Sequence, residues 1–346
     1  MSRQPIYKDG IRVSIRMNGD TKAKLEIASK KTGQTVTGII NEAMTEKLEK
    51  FKDEGMIINT VERIGEMERL TMLAEDGKKH DTKIIAFTNN KGGVAKTTSC
   101  SAVSHLMSKK YRVLVIDLDM QMNTSELFGY GFGNKETTVA DYLATYFNDG
   151  TERNLPDYIH PTKYDNVDVI IASHRMQIDF EQTVRTVGAD RGDLIGRLFK
   201  EIKALNIYDY VFVDTSPSIG VLVTSTYKEA NWLIIPTETD SMSIDGAFKV
   251  SSFIKRRELD ELKSAKIAGV LFARAVTNTA MTKAIPIYKK QFEEHGIHCF
   301  ATSIPQTSDV PKSREESIPV SDKYPASKAT KAYEAVCKEL EGIING

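Results

Sequence analysis

Apolar and polar residues alternate strictly between Ile11 and Met17, which is the pattern of a half-buried β-strand. Two helical patterns follow this strand. The first begins at Asp20 and stops at Gly33, as a helix commonly does, and the second begins near Thr35. A module of this size has too small a core, and its single strand has nothing to pair with, so we expect a second chain to complete it.

Beyond residue 82, short apolar runs alternate with helical patterns, as they do in a sheet covered by helices. The sequence therefore predicts an α/β fold with a doubly wound, mostly parallel sheet over residues 82–346. A small domain at 1–51 precedes it, and a charged helical connector spans 52–81. The runs assigned to strands are Lys83–Thr88, Tyr111–Asp119, Tyr208–Asp214, Trp232–Pro236, Ile267–Phe272 and Cys299–Pro305.

Charge and cysteine content narrow the class of protein. Lysine plus arginine and aspartate plus glutamate each number 47, so only local charge can attract nucleic acid or a membrane. Residues 1–50 hold ten basic and six acidic side chains, a local excess that suits DNA. No apolar run has the length of a membrane span, and Cys100, Cys299 and Cys337 form no paired framework, so a cytoplasmic protein is expected.

The N-terminal order of strand, helix, turn and helix resembles the ribbon-helix-helix fold of the Arc/MetJ repressors, over about residues 9–51. In that fold two chains pair their strands and insert the ribbon into the DNA major groove. The resemblance implies that Arg12, Ser14 and Arg16 read bases, and that the turn at Gln34 offers backbone amides to a phosphate. A strand whose polar face is merely solvated would show the same alternation.

A glycine-containing loop follows the apolar run at Lys83, and a helical pattern follows the loop. In such a loop, backbone N–H groups and the helix N-terminus surround phosphates, Lys96 contacts the β- and γ-phosphate oxygens, and the Thr97 hydroxyl coordinates Mg²⁺. The usual phosphate-loop pattern is not matched, because its two glycine positions hold Asn90 and Ala95.

The form present instead resembles the deviant Walker A motif of the ParA/MinD/nitrogenase-iron-protein superfamily, whose mark is an additional lysine, here Lys91. The resemblance implies that Lys91 reaches the nucleotide site of a partner subunit, so that ATP holds two chains face to face. Lys91 and Lys96 would then be catalytic. The expected nucleotide contacts are Lys91, Gly92, Gly93, Val94, Ala95, Lys96, Thr97 and Thr98.

Two further apolar runs end in acidic residues, where the ligands of parallel sheets gather. The continuation of the first run is similar to the ParA pattern Asp-x-Asp-Pro-Gln-Gly-Asn, with Met120 and Met122 in place of proline and glycine. The resemblance implies that Asp119 positions or activates the attacking water and that Asp117 supports the metal shell. Asp214, in a Walker B pattern, would hold Mg²⁺ through water.

Base contacts are expected from Pro305 and Gln306, since in the superfamily the base packs near the matching segment, whose usual third residue is arginine. The glycine-containing stretch at residues 129–165 suggests no function.

The superfamily offers two outputs, DNA binding as in ParA or membrane binding through a basic tail as in MinD. Residues 331–346 hold at least as many acids as bases, which favours DNA over anionic lipid. Clustered charge suffices for phosphate contacts, although a solvated helix face would look alike. The candidate non-specific DNA contacts are Lys312, Arg314, Lys323, Lys328 and Lys331.

Three functions are therefore open. The first is an ATP-dependent, nucleoid-associated DNA partition ATPase that forms a homodimer, responds to a ParB-like centromere-binding protein and represses its own operon through residues 1–51. The second is a transcription factor whose ATPase domain gates operator binding. The third is a spatial organiser of a protein or membrane cargo.

Overall fold

The computed structural model describes residues 6–8, 11–13, 19–36, 39, 69–75, 77–131, 133–134, 136–145, 154–174, 194–218, 220–276 and 280–346. The chain divides into two compact units, Met1–Gly65 and Glu66–Gly346. Each unit is described by itself.

The first unit contains a short antiparallel β-hairpin. Strands β1 (Ile6–Lys8) and β2 (Ile11–Val13) pair with Ile6 opposite Val13. The expectation that the strand at Ile11 has nothing to pair with in its own chain was therefore wrong. The sequence signal for the hairpin is Asp9-Gly10, a dipeptide that favours two-residue hairpin turns. Residues 14–17, which complete the predicted strand and include two of the expected base-reading side chains, lie outside the described residues.

The predicted first helix is confirmed. Helix α1 (Gly19–Thr32) is followed by Gly33, whose φ of 71° is the left-handed conformation that glycine adopts readily at a helix end. The N–H of Ile39 donates to the Thr35 carbonyl at 3.0 Å, which is the bond of a helical turn at the predicted start of the second helix. The rest of that helix, and the connector up to residue 68, lie outside the described residues.

The second unit is built on a seven-stranded sheet with the order β5-β6-β4-β7-β3-β8-β9. Its neighbouring strands are parallel except for the short edge strand β5, which is antiparallel to β6. This arrangement confirms the predicted mostly parallel sheet. The strands are β3 (Lys83–Phe87), β4 (Val113–Leu118), β5 (His160–Pro161), β6 (Val167–Ile170), β7 (Tyr210–Thr215), β8 (Trp232–Thr237) and β9 (Lys266–Phe272).

Helices cover both faces of this sheet, so alternate strand residues enter two separate cores. One core contains α4 (Val139–Ala144), α5 (Leu194–Leu205), α6 (Val221–Glu229), α7 (Ser241–Leu259) and α8 (Ala280–Glu294). The other contains α2 (Lys96–Met107), α10 (Val320–Lys323) and α11 (Lys328–Asn345). The second unit also contains the short helices α3 (Asn123–Leu127) and α9 (Asp309–Glu315) and a 3-10 turn at Leu155–Tyr158.

The predicted strand at Cys299–Pro305 was wrong in its extent. The segment touches the sheet through two isolated parallel bridges, Val270 with Cys299 and Ala275 with Pro305. At these bridges the Phe300 N–H donates to the Val270 carbonyl at 3.0 Å and the Gln306 N–H to the Ala275 carbonyl at 2.9 Å, but the two bridges are not joined into a continuous ladder.

The described part of the chain bears on two sequence expectations. Cys100, Cys299 and Cys337 are free and buried, which places them in the core. Among the described residues, no helix is both long enough and apolar enough to cross a membrane.

A buried charge cluster ties residues 69–74, a helical segment before the sheet, to the strand β6. Arg69 Nη2 lies 2.7 Å from Asp168 Oδ1, and the Tyr208 hydroxyl donates to Asp168 Oδ2 at 2.7 Å. Only 6% of the Asp168 side chain is exposed, and burial raises its pKa while the Arg69 cation opposes that rise. Leu70 is buried in the same region. Arg69 therefore compensates a carboxylate that the fold has removed from water.

Replacing Arg69 by alanine tests this cluster. We expect the free energy of unfolding to fall by about 2–4 kcal/mol, because the Asp168 carboxylate would stay buried without its cation. Adding Asp168→Asn should recover part of the loss, because the uncompensated charge is then gone. Urea unfolding followed by circular dichroism measures both variants. An Arg69→Ala variant as stable as the parent would contradict the assignment.

Candidate functional site

The sheet order brings the three predicted motifs to one edge. Strand β7 lies between β3 and β4, and its Asp214 is opposite Phe87 on one side and Asp117 on the other. The glycine-containing loop Lys91–Thr98 leaves β3 at this edge, and Asp119 follows the end of β4. The carboxyl edge of a parallel sheet is where ligands bind, so the motifs form one candidate site.

The loop backbone supports the interpretation as a phosphate loop. Gly93 has a φ of 82°, and Ala95, the residue before α2, has a φ of 66°. Ala95 thus adopts the left-handed conformation at a position where the usual pattern has glycine. The loop has glycine-like geometry without that glycine.

Lys96 is directed into the loop itself. Only 6% of the residue is exposed, and its Nζ donates to the Lys91 carbonyl at 2.9 Å. Burial lowers the pKa of Lys96, and the carboxylates of Asp214 and Asp119 oppose that shift. The ammonium therefore lies between the loop and the acidic residues of β4 and β7, where a phosphate chain would need a cation.

Asp214 has the features of a metal-binding carboxylate. Its Oδ2 accepts hydrogen bonds from the Thr97 and Thr124 hydroxyls, both at 2.7 Å. Its Oδ1 is buried and has no hydrogen-bond partner among the described residues. Burial raises the pKa of Asp214 to about 6. A buried carboxylate oxygen beside a hydroxyl fits a hard cation such as Mg²⁺, directly or through its water. Thr124 belongs to no motif found in the sequence.

The environment of Asp117 differs from the one expected of a residue that supports a metal ion. Its Oδ1 accepts the N–H of Asp119 at 3.0 Å, and its Oδ2 accepts the N–H and hydroxyl of Ser125, both at 2.8 Å. Complete burial, followed by the Asp214 charge, raises its pKa to about 7. With both oxygens engaged by the chain, Asp117 is better suited to hold residues 119–125 in place.

The loop after β4 presents Asp119 to the site. Asp119 lines the cavity next to the phosphate loop, and its Oδ1 accepts the N–H of Gln121 at 3.1 Å. Met122 has a φ of 55°, the left-handed conformation, at the position where the ParA pattern has glycine. Ala95 and Met122, which replace glycines of the two patterns, thus both have the positive φ that glycine adopts readily.

A cavity of about 670 Å³ is lined by the phosphate loop, including Lys96 and Thr97, and by Asp119. Pro305 and Gln306, the expected base contacts, line it together with the phosphate loop. Arg314 lines it as well, although its sequence context suggested a DNA contact. The structure therefore associates Arg314 with the nucleotide-sized cavity.

Lys91 is bound within its own chain. Its Nζ donates to Asp240 Oδ1 at 2.7 Å and to the Ser243 hydroxyl at 3.0 Å. About a third of each charged side chain is exposed, at 29% for Lys91 and 32% for Asp240. Partial burial acts to raise the pKa of Asp240, but the hydrogen bonds from Lys91 and Ser243 outweigh it and lower the pKa to about 2. Asp240 was absent from the residues expected at the site.

Arg274 is a cation near the phosphate loop that the sequence analysis did not predict to be there. It follows β9, has a φ of 56°, and places Nη1 3.0 Å from Glu238 Oε1 and 3.2 Å from the Gly93 carbonyl oxygen. It also lines the cavity.

Asn89 connects the start of the phosphate loop to α7. Its Nδ2 donates to the Pro236 carbonyl at 2.8 Å, and its Oδ1 accepts the N–H of Lys91 at 3.1 Å. A Cβ placed on Gly246 of α7 would lie 2.3 Å from Asn89 Oδ1, which no real contact allows. Gly246 is therefore needed because Asn89 occupies the space of its side chain.

The other residues expected to contact DNA differ in exposure and ion pairing. Lys312, Lys328 and Lys331 are exposed, whereas Lys323 pairs with Glu316. Arg12 is in β2, and Ser14 and Arg16 lie outside the described residues.

Comparison with known proteins agrees with this geometry. A family model described as AAA domain matches residues 82–267, more than half of the 346-residue chain. The chain is also 26% identical over 261 residues to the chromosome-partitioning ATPase Soj of Treponema pallidum. That alignment covers 75% of this chain and 96% of the relative.

Two solved structures show the same fold. McdA from Cyanothece superposes with a TM-score of 0.65 and 18% identity, covering 75% of this chain and 99% of that chain. MinD of Pyrococcus horikoshii complexed with Mg-ADP has a TM-score of 0.61 and 22% identity, covering 76% of this chain and 97% of that chain.

Substitution of Gly246 by alanine tests the contact with Asn89. We expect a loss of about 1–3 kcal/mol in the free energy of unfolding, because the new methyl group must displace a buried, hydrogen-bonded side chain. Gly342→Ala is the matched control, since a Cβ there meets nothing within 4 Å among the described residues. The control should gain up to about 1 kcal/mol from helix propensity. Thermal and urea unfolding compare the two, and equal effects would refute the contact.

Proposed function

We propose, from the fact that the chain belongs to the AAA domain family, that it is an ATP-dependent DNA partition ATPase. The observation that carries the proposal is the arrangement around Asp214, where a buried carboxylate oxygen without a partner in the described chain lies beside the hydroxyl of the phosphate loop. The similarity to a chromosome-partitioning ATPase, which covers 75% of this chain and 96% of that relative, supports the biological role.

ATP binds with its phosphates in the loop Lys91–Thr98, where backbone N–H groups and the N-terminus of α2 face the negative charge. Lys96 leaves the Lys91 carbonyl to contact the β- and γ-phosphate oxygens. Pro305 and Gln306 contact the base. The cavity of about 670 Å³ that these residues line supports this placement.

Hydrolysis uses the acidic residues of the neighbouring strands. Thr97 and Asp214 would hold a magnesium ion, whose charge would offset that of the phosphates. Asp119 orients the attacking water and accepts its proton as the bond from the γ-phosphorus to ADP breaks. Asp117 keeps the segment that carries Asp119 in place through its bonds to the backbone of residues 119 and 125.

ATP also brings two chains together. Lys91 reaches the nucleotide of the partner subunit and adds positive charge there only when the interface is closed. A ParB-like centromere-binding protein stimulates hydrolysis and so ends the paired state. The homodimer thus couples the nucleotide to assembly.

The ATP-bound dimer binds DNA. Lys328 and Lys331 are exposed one turn apart on α11 and so provide clustered charge for non-specific phosphate contacts, to which the exposed Lys312 adds a further candidate. The first unit, with Arg12, Ser14 and Arg16, binds the operator and represses the operon that encodes the chain. The protein is then cytoplasmic and associated with the nucleoid.

Replacing Asp119 by alanine tests the hydrolytic assignment. We expect the hydrolysis rate at saturating Mg-ATP to fall by about 100-fold or more, because the water loses its orienting carboxylate. Nucleotide affinity should change little, whereas Lys96→Ala should weaken it. Phosphate release and fluorescent-nucleotide titration separate the two effects.

The control for that experiment is Asp245→Asn, which removes a carboxylate that pairs with Lys249 on α7. It should hydrolyse ATP at the parent rate. An Asp119→Ala variant that keeps the parent rate would remove the proposed role of Asp119.

Reversal of two charges on α11 tests the DNA surface. Lys328→Glu with Lys331→Glu should weaken ATP-dependent binding to random-sequence DNA by about ten-fold or more and reduce its salt dependence, because phosphate contacts are lost.

Arg12→Ala with Arg16→Ala should weaken binding to the upstream operator and leave random-sequence binding unchanged. Filter binding and footprinting with and without ATP measure these effects.

Lys290→Glu, on a helix in the opposite core, is the charge control and should bind DNA as the parent does. Operator binding that needs ATP, without stimulation of hydrolysis by DNA and a centromere-binding protein, would favour the ATP-gated repressor. Sedimentation with anionic vesicles instead of DNA would favour an organiser of a membrane cargo.

A further inference from the structure

The partner of Lys91 is a carboxylate that is fixed independently of it. Asp240 precedes α7 and caps that helix, with Oδ1 accepting the N–H of Ser243 at 3.1 Å. Its Oδ2 accepts the Ser243 hydroxyl, and Ser243 is completely buried. Asp240 is thus held by the first turn of α7, and removing Lys91 would leave it where it is.

Lys91, in contrast, is held by its charged end. A lysine ammonium ends a flexible four-carbon stem and can exchange one acceptor for another with little rearrangement. It has three N–H donors, of which Asp240 Oδ1 and the Ser243 hydroxyl engage two. The lowered pKa of Asp240 keeps this carboxylate ionised at a pH where an ordinary aspartate is already protonated, so the pair persists from neutral into acidic solution.

The backbone of Lys91 links this contact to the nucleotide. Its carbonyl accepts the Lys96 ammonium at 2.9 Å, and its N–H donates to Asn89. A phosphate that draws Lys96 away also removes one of the bonds that holds residue 91. The two lysines therefore respond to two nucleotides in order, first Lys96 to the one bound in its own chain and then Lys91 to the one bound in the partner.

We propose that Asp240 is a positioning residue for Lys91, which holds the ammonium in its own chain until the phosphates of a partner-bound nucleotide compete for it. This inference rests on the proposed function, because it requires ATP-dependent pairing of two chains. Each pairing breaks two Lys91–Asp240 contacts, one from each chain. The strength of that contact therefore sets the protein concentration at which ATP forms dimers.

The experiment measures the dimerisation constant of the full chain with Mg²⁺ and a non-hydrolysable ATP analogue, by sedimentation velocity over a protein concentration series. Asp240→Asn removes the charge and keeps a residue that caps helices equally well. We expect its dimers to dissociate with a constant lower by about ten-fold, because two partly exposed ion pairs no longer oppose closure. Nucleotide-free Asp240→Asn should stay monomeric to the same concentration as the parent.

Asp245→Asn is the matched control. It removes one carboxylate from the same helix, but its partner is Lys249 and the pair is well exposed. Its dimerisation constant should equal that of the parent. Ser243→Ala is a second variant, which removes the neutral acceptor for Lys91 and one support of Asp240, and it should shift the constant in the same direction by less.

The outcomes separate this inference from the proposed function. If the parent dimerises with the analogue but Asp240→Asn has the same constant, the positioning role is overturned and the proposed function stands. If a folded, nucleotide-binding Asp240→Asn no longer dimerises, Asp240 is needed in the closed state and the inference is also overturned. If the parent stays monomeric with the analogue, the ATP-dependent pairing of the proposed function fails first.

Discussion

The register between β4 and β7 sets Asp117 opposite Asp214, and both carboxylates are completely buried. Two like charges in such a place are costly, so each must be satisfied by the groups around it. Asp117 is satisfied by backbone and hydroxyl donors from residues 119–125. Asp214 accepts one hydroxyl from the phosphate loop and one from α3, and its other oxygen has no hydrogen-bond partner in the described part of the chain. The loop after β3 and the loop after β4 are thus assembled around one pair of acids.

Much of the sheet could be predicted from the sequence because a strand buried on both faces is a continuous apolar run, as at Lys83 and Tyr210. The rule fails at the edge of the sheet. Strand β6 contains Asp168 in its interior, and the cation that compensates it comes from residue 69, far away in the sequence. Strand β1 is only three residues long, so its pairing with β2 is signalled mainly by the dipeptide between them.

In the candidate site, too, some residues could be predicted from the sequence and others could not. Lys96 and Thr97 were expected together from the phosphate-loop motif and Asp214 from the apolar strand before it, and the structure brings Thr97 and Asp214 within hydrogen-bonding distance. Asp240 could not, because its contact with Lys91 joins residues 149 apart in the sequence and depends on β8 lying beside β3. Thr124 and Arg274 escaped for the same reason. The hydrogen bonds that engage both oxygens of Asp117 could not be predicted either, because sequence spacing does not reveal them.

Ala95 and Met122 keep left-handed backbone conformations that glycine would adopt more easily. Their side chains restrict the conformations open to the unfolded chain, so these two turns lose less conformational entropy on folding than glycine turns would. The strain of the left-handed state opposes that gain and is confined to single residues. At Ala95 and Met122, the loops that would surround the phosphates therefore lack the conformational freedom that a glycine would give them. At these two positions the backbone has fewer alternative conformations than glycine would have, so adjustment to a ligand there falls mainly to rotations of side chains.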